Sequence, residues 1–91
     1  MVDSNKLKIR VKEIMGTGKC PFGHKPGDEY SYPEDRGKIC PSGYYILFPS
    51  IRVLQFGGTF PWTEKPDVVT LCCSDAKNPV VFEIIRTKEK K

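Results

Sequence analysis

The chain has 91 residues, a length typical of a single domain, and 38% of its residues are hydrophobic while 29% are charged. This composition excludes wholesale disorder, and no apolar run approaches the roughly 20 residues that span a membrane. The formal net charge of +4 is mild. Because nucleic-acid binders usually show a stronger basic bias, the charge argues against that class.

The chemical state of the cysteines depends on where the protein is located. The first residues, MVDSNKLKIR, lack the apolar core of a signal peptide, so we expect a cytoplasmic protein. The cytosol keeps thiols reduced, which favours burial, catalysis or metal binding over disulfides for the four cysteines. We expect one domain over residues 1–91, with an ordered core from about 6 to 86 and a frayed tail at 87–91.

Two strands are predicted at the start of the chain. In KLKIRVKEI, Leu7, Ile9 and Val11 alternate with basic residues, a pattern typical of a strand with one buried and one wet face. A loop rich in glycine and proline follows. The next segment, DEYSY, predicts a short second strand with Tyr30 and Tyr32 on one face.

The segment PSGYYILFPSIRVLQFGG is the one helical candidate. Its predicted buried face consists of Tyr44, Leu47, Phe48, Ile51 and Leu54. Pro41 suits the first helical turn and Gly57 the position just past the end. Pro49 removes one backbone donor, so we expect a kink.

Two further strands, VVTLCC and VVFEIIR, are joined by SDAKNP, which has the residues of a hairpin loop. The predicted order is therefore strand, strand, helix, strand, strand. This order is typical of a small α+β fold, with a mainly antiparallel four-stranded sheet and one kinked helix packed on one face.

A Cys-Pro-x-Gly motif occurs twice, as CPFG at 20–23 and CPSG at 40–43. Proline leaves the cysteine extended, and glycine permits the positive φ that closes a turn. Each copy offers one sulfur, His24 follows the first copy, and Cys73 is favoured over Cys72 because it shares a face with apolar neighbours. The predicted ligand set of Cys20, His24, Cys40 and Cys73 suits tetrahedral zinc or iron.

Other interpretations of these residues stay open. The spacing matches no standard zinc pattern, so the cysteines could be small apolar fillers. Cys40 precedes the first helical turn, where unpaired N–H groups favour a thiolate. It could therefore act as a nucleophile or redox thiol, with His24 as the base.

Three surfaces are candidates for binding. The basic face of the first strand could contact nucleic acid or a protein. An exposed edge strand could pair two copies as a homodimer. Phe60 and Trp62, in GGTFPW, could either line a small-molecule or peptide pocket or close one end of the core.

The segments CPFGHKPGDEY, CPSGYYILFP, FGGTFPW, DVVTLCCSD and NPVVFEIIR together resemble a family of small prokaryotic single-domain proteins of unknown function. The resemblance covers the chain from about Leu7 to Arg86. It implies a shared compact fold and a shared cysteine site, and it implies no particular activity.

Overall fold

The computed structural model describes residues 5–90, with only the backbone described at 88–90. In chain order the elements are β1 (Asn5–Ile14), β2 (Glu29–Tyr32), a short 3-10 helix (Arg36–Lys38), α1 (Pro41–Gln55), β3 (Val68–Cys72) and β4 (Val80–Lys90). The strands form one antiparallel sheet in the order β2-β1-β4-β3. The predicted α+β fold, with four antiparallel strands and one helix, is confirmed.

The two long strands, β1 and β4, form the centre of the sheet. On β1, Leu7, Ile9 and Val11 are buried towards α1 while the basic residues between them face the other side, as the alternation predicts. β4 runs to Lys90, past the predicted end at Arg86, because its last residues pair with the beginning of β1. Local pattern alone could not reveal that pairing.

α1 packs across one face of the sheet. Leu47, Ile51 and Leu54 have no exposed surface and close the core against the inward side chains of the strands. Phe48, predicted on this face, is instead 41% exposed. It lies about 100° round the helix from Leu47, which takes it to the edge of the buried stripe. No helix among the described residues is long and apolar enough to cross a membrane.

α1 continues through Pro49, which lies on its exposed side, and ends where predicted. Gly57 has a φ of 88° and donates its N–H to Leu54 O at 3.3 Å, while Gly58 donates to Val53 O at 2.8 Å. These two bonds define a Schellman motif, in which a left-handed glycine satisfies the last carbonyls of a helix. Gly57 was therefore enough to predict the end of α1 from the sequence.

Arg86 ties this end of α1 to the sheet. Its side chain is only 9% exposed, and its Nε donates to Asp67 Oδ1 at 2.8 Å. Its Nη1 donates to Leu54 O at 3.0 Å and to Gly58 O at 2.8 Å. A buried guanidinium is stable in such a place because a carboxylate and several carbonyls share its charge.

Candidate functional site: the cysteine pocket

Three cysteines line one pocket of about 430 Å³, which we call the cysteine pocket. Cys20 comes from the loop after β1, Cys40 from the residue before α1, and Cys73 from the residue after β3. All three are free thiols and half-buried. Cys72 is exposed and does not line the pocket, because successive side chains of a strand face opposite ways. The fold thus gathers thiols from three distant segments.

The two Cys-Pro-x-Gly copies adopt different structures. In the first copy Gly23 has a φ of 110° and donates to Cys20 O at 2.9 Å, which is the expected tight turn. In the second copy, Cys40 is the N-cap of α1 and Gly43 lies inside the helix without a positive φ. The expected left-handed glycine is therefore wrong for the second copy. Proline at the next position suits both structures, since its φ fits a turn and a first helical turn alike.

Gly43 is needed for space. A Cβ at this position would lie 3.0 Å from Cys40 Sγ and 3.3 Å from Phe82 Cε2. The absence of a side chain lets the start of α1 sit close to the sheet, with the Cys40 sulfur beside a fully buried ring. Glycine at this position therefore avoids a close contact of a side chain with Cys40 and Phe82.

Backbone N–H groups point at two of the sulfurs. Gly43 N donates to Cys40 Sγ at 3.3 Å, and Val80 N donates to Cys73 Sγ at 3.2 Å. Such donors favour the ionised form of a sulfur acceptor. Two of the three sulfurs thus accept backbone hydrogen bonds that would also stabilise a thiolate.

The pKa of the Cys40 thiol is nevertheless raised. Burial is the largest cause, and the neighbouring charges of Cys20 and Cys73 raise the pKa further, while the N–H groups of Gly43 and Ser42 oppose the change. Burial and like charges both disfavour the thiolate. The surroundings of Cys40 therefore disfavour the thiolate that a nucleophile requires. A positive charge among the sulfurs would lower the pKa of this thiol again.

His24 holds the start of α1 and does not line the cysteine pocket. It is buried, its Nε2 accepts a hydrogen bond from Cys40 N at 3.2 Å, and its Nδ1 lies 2.8 Å from Tyr30 Oη. Because Nε2 accepts, Nδ1 carries the proton and donates to Tyr30. Burial lowers the pKa of His24, against the opposing charge of Asp28. Both ring nitrogens are engaged, so His24 orients the backbone of Cys40.

No metal-ligand group is preformed in the described part of the chain. Among the side chains that the structure describes, at 5–87, no three from His, Cys, Asp or Glu are arranged to hold a metal ion. Of the predicted set of Cys20, His24, Cys40 and Cys73, the three cysteines share a pocket and the histidine lies behind one of them.

The basic face of β1 is paired with carboxylates. The ion pairs join Lys6 to Glu34 at 2.8 Å, Lys8 to Glu29 at 3.5 Å and Arg10 to Glu83 at 2.5 Å. These carboxylates come from β2, β4 and the segment after β2, so they neutralise the stripe from both sides. Three of the four basic side chains that the sequence places on this face are therefore paired, and Lys12 is in none of the described ion pairs.

The aromatic loop 57–67 divides its two rings between core and solvent. Phe60 is partly buried against the core, whereas Trp62 is 71% exposed. Their ring centroids lie 5.1 Å apart. Trp62 lines a groove of about 350 Å³ beside β3, and Phe60 is not among its lining residues. Phe60 thus packs against the core, and Trp62 lines a groove, so each residue fits one of the two predicted roles.

One surface was missed by reasoning from the sequence. Tyr45 is 80% exposed and Phe56 46% exposed, and with Phe48 they cover the side of α1 that faces away from the sheet. The available signal was composition, since α1 has a single charged residue, Arg52, and no acidic residue. When a helix is apolar on both sides, one apolar face packs on the core and the other is left exposed to solvent.

Neither the models of protein families, nor the curated proteins, nor the solved structures match this chain. The resemblance to a prokaryotic family stays a prediction based on the motifs named above.

Proposed function

We propose that the protein binds a soft metal ion through the thiolates of Cys20, Cys40 and Cys73. The observation that carries the proposal is the convergence of these thiols on one pocket, while Cys72 lies outside it. Thiolates select soft or borderline ions, among which zinc accepts a set of three protein ligands and an open fourth position. Zinc is therefore the ion that we expect, with iron as the second choice.

Binding of a divalent ion would be coupled to release of the thiol protons. Burial raises the pKa of the Cys40 thiol, so protons compete with the ion at this sulfur and the affinity should increase with pH. Once bound, the ion would offset the repulsion between the thiolates. The N–H groups of Gly43 and Val80 would then donate to metal-bound sulfurs and orient them.

Binding needs a local adjustment, because no ligand group is preformed. The adjustment would fall on Cys20, which has no such N–H donor among the described bonds, and rotation about its χ1 would move its sulfur towards those of Cys40 and Cys73. His24 keeps its place by holding the Cys40 N–H, so its role is positioning. The fourth coordination position would be filled by water or by a ligand from outside the pocket.

The test is metal content by mass spectrometry, with a parallel thiol count, on protein purified without air. We expect close to one zinc ion per chain. Each of the substitutions C20S, C40S and C73S should abolish binding. The matched control is C72S, which changes the neighbouring cysteine on the opposite face of the strand and should retain the ion.

Substitution of cobalt for zinc adds a second measurement, since cobalt bound to thiolates absorbs strongly in the near ultraviolet. Binding of iron in place of zinc would keep the site and change the ion. Failure of the reduced protein to bind zinc, iron or cobalt would refute the proposal. Equal loss of metal in C72S and C73S would also refute it, because the pocket excludes Cys72.

A further inference from the structure

The outer face of α1 is an apolar surface without a covering element in the described part of the chain. Its groove, which we call the aromatic groove, is lined by Pro41, Tyr44, Tyr45, Ile46, Phe48 and Pro49. Helices of small domains usually turn charged and polar side chains to solvent. Contiguous exposed aromatic side chains instead mark interaction sites.

A cation lies at one end of the aromatic groove. The guanidinium carbon of Arg52 is 5.8 Å from the ring centroid of Phe48 and 4.6 Å from that of Phe56. Nη1 of Arg52 donates to Gln55 Oε1 at 3.2 Å. Among the side chains that the structure describes, no carboxylate forms an ion pair with Arg52. This arginine is exposed, stacked on aromatic rings and without a carboxylate partner.

The inner wall of the groove is held in place by a tyrosine pair. Tyr44, which lines the groove, has its Oη 2.9 Å from Tyr32 Oη. Tyr32 is buried in the core, so this contact anchors Tyr44. The groove thus combines aromatic side chains with one cation, Arg52, at its end.

We propose that the aromatic groove is a docking site for an acidic segment of another protein that carries apolar side chains. The apolar side chains would pack on Tyr45 and Phe48, which supply contact area at low entropic cost. A carboxylate of the segment would form the bidentate pair that Arg52 lacks. The inference is independent of the metal proposal, since none of the three cysteines lines the groove.

Charge complementarity favours such a partner over a second copy of this chain. α1 contains no acidic residue, so two copies packed through this face would offer Arg52 no carboxylate from the partner helix. A segment rich in Asp or Glu satisfies the arginine and the net positive charge of the chain together.

The test begins with selection from a random-peptide library displayed on phage, with the full chain immobilised. We expect enrichment of peptides that combine Asp or Glu with Leu or aromatic residues. A fluorescently labelled copy of the most enriched peptide is then titrated by anisotropy. R52E should weaken binding by at least roughly tenfold, and Y45A and F48A by a similar factor.

Two matched variants control for general effects. W62A removes another strongly exposed aromatic side chain outside the groove, and K12E reverses an exposed charge on β1. Both should bind the peptide within about twofold of the parent chain. Circular dichroism of every variant checks that the fold is retained.

Several outcomes would overturn the proposal. These are the absence of enrichment, enrichment of peptides without acidic residues, or an anisotropy titration that R52E leaves unchanged. Sedimentation that shows a dimer of the parent chain, lost in Y45A and F48A, would assign the groove to a second copy and would also overturn it. If the immobilised R52E variant instead enriched basic peptides, this result would support the role of the Arg52 charge in binding the acidic segment.

Discussion

Replacement of His24 by alanine should destabilise the protein by about 3 kcal/mol. The substitution leaves the half-buried N–H of Cys40 without its acceptor, at a cost of about 1–2 kcal/mol. It also removes the bond to Tyr30 Oη, which contributes about 1 kcal/mol. The edge contact with Phe82, at 5.6 Å between centroids, adds about 0.5 kcal/mol.

The assay is urea and thermal unfolding followed by circular dichroism. For a domain of this size, 3 kcal/mol corresponds to a fall in Tm of roughly 12–24 °C. Y30F is the matched comparison, because it removes the hydroxyl that contacts His24 Nδ1 and Asp28 while leaving the bond from Cys40 N to the ring, and it should cost about 1 kcal/mol. If H24A were no more destabilising than Y30F, the bond between the ring and Cys40 N would contribute nothing, and the assigned positioning role would be refuted.

The pH dependence of the same variant is a second measurement. Burial lowers the pKa of His24 from its ordinary value of 6.5, so the folded state binds fewer protons than the unfolded chain in the interval below that value. Protonation of His24 therefore does not lower the free energy of unfolding above pH 6.5. It lowers this free energy as the pH falls from 6.5 towards the pKa of His24 in the folded state. The free energy of unfolding should therefore fall as the pH is lowered below 6.5 in the parent chain, and it should fall less in H24A. Equal slopes would contradict the assignment.

Four further substitutions, two of them controls, test the packing at Gly43 and the buried ion pair of Arg86. G43A should cost about 1 kcal/mol despite a better helix propensity, because the new methyl group presses on Cys40 Sγ and on a buried ring. G37A, where an added Cβ meets nothing within 4 Å, should be close to neutral in the same unfolding assay. R86M should cost about 3 kcal/mol, since it removes a charged hydrogen bond to Asp67 and the hydrogen bonds to the carbonyls of Leu54, Gly58 and Pro66. K8M, which breaks an exposed ion pair, should cost less than about 1 kcal/mol, and a larger effect would count against this ranking.

The strands and the helix end could be predicted because their signals are local. Alternation on β1 reports one buried face, and glycine after α1 reports a left-handed cap. The pairing of β1 with β4 could not be predicted in this way, since a strand pattern shows which face is buried and does not identify the neighbouring strand. Phe48 was misplaced for a related reason. A helix that is apolar on both sides fits more than one choice of inner face, and the sheet decides between them.

The cysteine pocket could be predicted only in part, for a different physical reason. The choice of residue types was local, because thiols and an imidazole are the groups that bind zinc. Their arrangement depends on where β3, α1 and the loop after β1 meet, and this is a property of the packed fold. His24 illustrates the difference, since sequence spacing predicts a ligand four residues after Cys20. In the folded chain the same ring contacts Phe82 and accepts the N–H of Cys40, an arrangement that spacing alone does not reveal, and its role as a ligand stays a prediction.

The two Cys-Pro-x-Gly copies show why spacing rules were of limited use. Proline permits a turn and a helix start equally, so the following residues decide between them. After Gly23 the chain continues as HKPG, which offers no apolar stripe, and the motif closes as a turn. After Gly43 the stripe that includes Leu47 packs on the sheet, and the motif continues as α1. Standard metal-binding motifs place two ligands within one turn. In this fold each copy supplies one sulfur, and the β3–β4 hairpin supplies the third, so a search for paired ligands in the sequence would miss the pocket.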